Sequence, residues 1–158
     1  MTTAAGISST PISVPSQALG AIEVRPDDLI TACEPLSGFP DCFSYALIEH
    51  TRGGGASAGS VFWLQAVERP FQAFVVTDPW GVYPEYAPEI SDAEAAQLGL
   101  DGFADARFFA ILTVPRNPSE ITINLRAPVV VNVARRLAKQ VVVLNDEYHT
   151  RHPVNRSE

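Results

Sequence analysis

Thirteen prolines are spread through this 158-residue chain, and they constrain its fold more than any other feature. Proline holds φ at about −65° and donates no backbone hydrogen bond, so it ends helices and is kept out of central strands. Between the prolines and glycines lie short apolar runs: Ala21–Val24, Leu29–Cys33, Ser44–Glu49, Val61–Val67, Ala73–Thr77, Arg107–Val114, Ile121–Asn124, Val129–Val133 and Gln140–Leu144. They are strand-length and rich in Val, Ile and Phe. Many short strands at close spacing predict an all-β barrel or sandwich. We expect a small closed or partly open β-barrel with one short helix.

That helix is written at Ser91-Asp92-Ala93-Glu94, a capping box with Ser91 as N-cap and Glu94 at N3. Good helix formers follow, and Gly99 supplies the stop. Residues 133–139 read as a turn rather than a second helix. Residues 1–19 are rich in Ser, Thr, Pro and Ala without periodicity and read as a disordered tail. The folded domain is expected over residues 20–154, with a short C-terminal tail at 155–158.

Apolar residues make up 46% of the chain, enough for a core in a single domain of this length. Lys and Arg number 11 against 18 Asp and Glu, a net charge of −7, which argues against a nucleic-acid partner and suits a basic protein. The first residues have neither a basic leader nor an apolar h-region, and no apolar run approaches the ~18 residues of a membrane span. Two cysteines, Cys33 and Cys42, are too few for a disulfide framework and fit a reducing compartment. The expected location is the cytoplasm, with no membrane contact.

Signals for catalysis are weak. The loop Arg52–Gly59 (RGGGASAG) lacks the Gly-Lys-Ser/Thr ending of a P-loop and reads as a mobile hairpin tip. Glu147, His149 and His152 crowd together, but two imidazoles in a Pro-containing segment are thin support for zinc. There is no Gly-x-Ser-x-Gly elbow, and both cysteines sit among apolar residues. No catalytic residue, metal or cofactor is assigned. The second reading is a small β-barrel enzyme or ligand-binding module with a pocket at the barrel mouth.

The most distinctive stretch is residues 75–89, VVTDPWGVYPEYAPE, where Trp80, Tyr83 and Tyr86 alternate with prolines and acids. Trp and Tyr bring large contact area at low entropy cost. We expect Trp80, Tyr83, Glu85 and Tyr86 to form part of a protein-partner surface, although single rings could equally cap the core. Gln65, Asn124 and Asn132 are weaker candidates for that surface. Asn124 and Asn132 flank a nearly all-apolar strand, where an amide often satisfies loop backbone groups instead.

These residues also carry a resemblance. GFPD (38–41), FWLQA (62–66), VVTDPWGVYPEY (75–86), ILTVP (111–115), TINLRAPVVVN (122–132), KQVVVLNDEY (139–148) and RHPV (151–154) resemble, in order and spacing, the flagellar assembly factor FliW family. The chain departs from the family's usual residues at Ala32, Pro35, Ala66, Gly81 and Ala138. The resemblance implies a small β-barrel without catalytic activity. It also implies two partners: the basic, RNA-binding translational repressor CsrA, whose repression of flagellin mRNA is relieved, and flagellin itself.

Overall fold

The computed structural model describes residues 11–16, 20–34, 36, 42–51, 57–69, 71–102 and 104–154. Its strands are β1 (Ile12–Ser16), β2 (Gly20–Val24), β3 (Leu29–Ala32), β4 (Ser44–Thr51), β5 (Ser57–Ala66), β6 (Ala73–Thr77), β7 (Ala106–Thr113), β8 (Thr122–Ile123), β9 (Val129–Asn132), β10 (Leu137–Gln140) and β11 (His152–Pro153). Among the described residues one α-helix, α1 (Asp92–Gln97), stands between β6 and β7. Strand β7 closes the sheet. One of its edges pairs with β6, and its first half pairs through the other edge with β9, Phe108 opposite Val130. The order β3-β4-β5-β6-β7-β9-β10 then returns to β3 through a parallel pair, Leu137 opposite Thr31. The result is a closed seven-strand barrel. The last residues of β7 are left to β8, which in turn pairs with β11.

Strand period two sorts the side chains. Ile30, Tyr45, Leu64, Val76, Phe109, Val129 and Val131 point inward and fill the barrel. Their neighbours point outward, and three layers cover them. The β1–β2 ribbon lays Val14 and Val24 on Ala46. Just beyond helix α1, Leu98 and Leu100 pack against Phe108 and Val130. Residues 82–90 and 143–154 cover Ala110 and Ile123. Small barrels fill their interior with side chains. The outer clusters explain why so short a helix persists. Ser91 Oγ accepts from the Glu94 N–H at 3.2 Å, and the Lys139 ammonium pairs with Glu94.

The structure corrects three expectations. The tail over residues 1–19 is not wholly tail, because Ile12–Ser16 form a strand whose Val14 is fully buried. Ser and Pro hide the hydrophobic alternation there. Residues 1–10 and 155–158 lie outside the described residues, as do 52–56 of the glycine-rich loop and 38–41 of the first motif. Residues 57–59 of that loop already belong to β5. Gln140–Leu144 is no ladder strand. After the turn at 133–136 the strand is Leu137–Gln140. The next residues run alongside the 126–128 loop, Val141 N–H donating to Pro128 O and Val143 N–H to Arg126 O.

Candidate functional site

The segment after β6 is built by its own short-range chemistry. Asp78 Oδ1 accepts from the Trp80 N–H at 2.9 Å, and Pro79 opens a single 3-10 turn. Tyr83 N–H reaches back to Pro79 O at 2.8 Å, and Tyr86 N–H to Tyr83 O at 2.9 Å. Each aromatic is then tied by its polar tip, as buried Trp and Tyr require. Trp80 Nε1 donates to Tyr86 O at 2.7 Å, Tyr83 Oη to Pro153 O at 2.8 Å and Tyr86 Oη to Leu125 O at 2.7 Å. The Ala87 N–H donates to Tyr148 Oη at 2.8 Å, and Asn145 brackets the same stretch through Glu89 N–H and Ala87 O.

This arrangement divides the expected surface residues. Trp80 is 37% exposed, Glu85 is exposed and Tyr83 is half-buried. Tyr86 leaves the expected surface: it is 3% exposed, packed against Tyr148 at 4.7 Å between ring centres. Burial pushes its phenol well above the ordinary tyrosine range, so it stays a neutral donor. Gln65 and Asn132 are also interior rather than surface. Gln65 Nε2 donates to Ala66 O and Phe71 O, both at 2.8 Å, and so holds the turn in which Phe71 takes φ of 61°. Asn132 Oδ1 accepts from Ala134 N–H and Arg135 N–H, while its Nδ2 donates to Leu98 O. Asn124, half-buried, accepts from Arg126 N–H and Ala127 N–H. The amides serve the backbone, the alternative open from the sequence.

Trp80 does not stand alone on the surface. Its ring meets the edge of Phe108 at 5.6 Å. Beside it lies a cleft of about 360 Å³ lined by Asp78, Trp80, Tyr86, Pro88, Arg107 and Phe108 among others. Sequence reasoning missed Arg107 and Phe108. A lone arginine within the apolar run of β7 was the available signal, since a charge there must reach the surface. Among the described residues no group of three His, Cys, Asp or Glu side chains is placed to hold a metal ion. His152 Nε2 instead accepts from the His149 N–H at 2.8 Å, and its ring packs on Tyr83 at 5.4 Å. Cys33 and Cys42 are not joined in a disulfide.

The model of the family described as FliW protein matches residues 13–154. The chain belongs to the FliW family. FliW relatives agree with this over most of their length. The flagellar assembly factor FliW of Natranaerobius thermophilus is 36% identical over 145 residues, 90% of this chain and 92% of the relative. That of Alkaliphilus metalliredigens is 35% identical over 133 residues, 84% and 80% of the two chains. A crystal structure of a flagellar assembly factor FliW superposes with a TM-score of 0.81 at 28% identity, covering 93% of this chain and 99% of that one. In this FliW-family barrel the residues behind the resemblance have distinct duties. VVTDPWGVYPEY is β6 and the clamped aromatic segment, and TINLRAPVVVN runs from β8 through the closing strand β9.

Proposed function

We propose that this chain works as a non-enzymatic flagellar assembly factor in the cytoplasm, binding CsrA and flagellin and relieving CsrA repression of flagellin mRNA. The carrying observation is Trp80: a 37% exposed indole held rigid by its bond to Tyr86 O, at the edge of an open cleft. A pre-ordered aromatic loses little entropy on binding, and such residues dominate interface energies. Exposed acids of the same segment, Glu85 and Glu89, and the net charge of −7 complement a protein that must be basic where it meets RNA. The family membership supplies the flagellar context, and among the described residues no helix is long and apolar enough to cross a membrane.

The test titrates the full chain into a cognate CsrA–RNA complex and follows RNA release, with flagellin binding measured in parallel. Release and flagellin capture by the natural chain are expected. Trp80→Ala should cost about 2 kcal/mol or more in either affinity while most of the melting temperature is kept. No release and no flagellin binding would overturn the proposal. Proportional loss of stability and binding in Trp80→Ala would make the ring a core residue instead.

A further inference from the structure

The barrel has a second cavity, of about 310 Å³, at the end where the β9–β10 hairpin turns. Its floor is the barrel interior itself: Ile30, Phe109 and Val131, all under 5% exposed, with the half-buried Leu47. Its rim carries Asp28, Val133, Arg107 and Arg136. An apolar floor offers nothing to hold ordered water, so it favours an apolar occupant.

The two arginines are poorly satisfied. Among the described side chains no carboxylate pairs with Arg107, whose guanidinium lies over the rings of Phe109 and Phe62 at 4.8 and 5.8 Å. Arg136 reaches Asp28 only at 3.8 Å, between side chains 48% and 61% exposed. Exposed pairs of that kind contribute about 0–1 kcal/mol. In a chain with seven more acids than bases, an unpaired arginine at a cavity rim is out of keeping with its surroundings. Arg136 also holds φ of 55°, a left-handed conformation that costs a non-glycine residue energy. That backbone sets its side chain at the mouth, where its guanidinium also donates to Asp28 O.

We propose that this barrel mouth binds a small apolar monocarboxylate. The apolar body rests on Ile30, Leu47, Phe109 and Val131. The carboxylate is met by Arg107 and Arg136, whose planar forks match it. A single negative charge is preferred, because Asp28 on the same rim and the acidic chain as a whole repel a polyanion. The same chemistry comes from a free short-chain fatty acid or from the last residue of a polypeptide.

The experiment uses the full chain, with backbone NMR titrations of sodium octanoate below its micelle concentration and of N-acetyl-leucine. Octan-1-ol and N-acetyl-leucinamide are the neutral controls. At least one acid should bind about tenfold tighter than its control, shifting the amides of Ile30, Leu47, Phe109 and Val131. The tighter acid identifies the source. Arg107→Gln and Arg136→Asn should each weaken that acid about fivefold with the fold retained and only a small drop in melting temperature from the lost ring and Asp28 contacts, Asn being tolerant of the left-handed backbone. Arg107→Lys, which keeps the charge, should fall between. Equal binding of acid and neutral control, shifts confined to the Trp80 cleft, or no saturable binding at millimolar acid would each overturn the proposal. None of these readouts involves CsrA or flagellin.

Discussion

Two aromatics six residues apart, Trp80 and Tyr86, have opposite duties, and the difference lies in where their polar atoms go. Trp80 donates to a neighbouring loop carbonyl and keeps 37% of its surface in solvent. Tyr86 donates across the outer core to Leu125 O, which is buried with it. Tyr86→Phe therefore leaves a buried carbonyl without its donor, and should cost about 1–3 kcal/mol in denaturant unfolding while partner affinity of the folded chain is unchanged. His152 makes the same loop sensitive to acid. Burial first, and the neighbouring His149 second, hold its pKa below the ordinary histidine value. The folded state thus resists protonation, so this stability is complete above about pH 6.5 and is lost as pH falls through the ordinary value toward the folded one. The cation would also lose the lone pair that accepts from His149 N–H. The melting temperature of the natural chain should fall more steeply from about pH 7.5 to 5.5 than that of His152→Phe, which retains a ring against Tyr83.

At the scale of elements, legibility depends on whether the signal is local. The cap of α1 is a four-residue pattern, and Ser91 Oγ is found accepting from Glu94 N–H as the box requires. Strand β6 is legible to both its ends, because it is a dense apolar run bounded by Gln72 and by Asp78-Pro79. Strand β1 is not, since ISVPS has one Val and one Ile among two Ser and a Pro and is a strand only in company with β2. Its contribution is measurable. Removing residues 1–19 strips Val14 from Val24 and Ala46, and the buried Val alone is worth about 1.5–3 kcal/mol. The shortened chain should melt several degrees lower, and Val14→Ala should reproduce part of the drop. An unchanged melting temperature for both would show that the ribbon adds no stability. The misplaced strand at Gln140–Leu144 has a related cause. Val141 and Val143 are buried and Val142 and Leu144 exposed, a strand-like alternation, yet they face a loop rather than a strand.

For the whole molecule, everything turns on β7, which serves the interior through Phe109 and the outer layers through Phe108 and Ala110. Phe109 packs edge-to-face on Phe62 at 5.6 Å and floors the mouth cavity. Phe109→Ala should cost about 3–5 kcal/mol and lower the denaturant midpoint with little change in slope if the barrel still closes. By itself the sequence determined the local inventory: most of the extended runs, where the helix is capped, and that the chain is acidic. These come from backbone sterics, side-chain period and charge, all of which act within a few residues. Only the tertiary structure decided that β7 and β9 meet to close the barrel, that β3 and β10 run parallel, that Tyr86 turns inward while Trp80 does not, and that Arg107 stands between two cavities. A period of two says that a strand has two faces, without saying which one the closed sheet will enclose. That choice is made by pairings between residues far apart in the chain, where burial summed over the whole barrel outweighs any local preference.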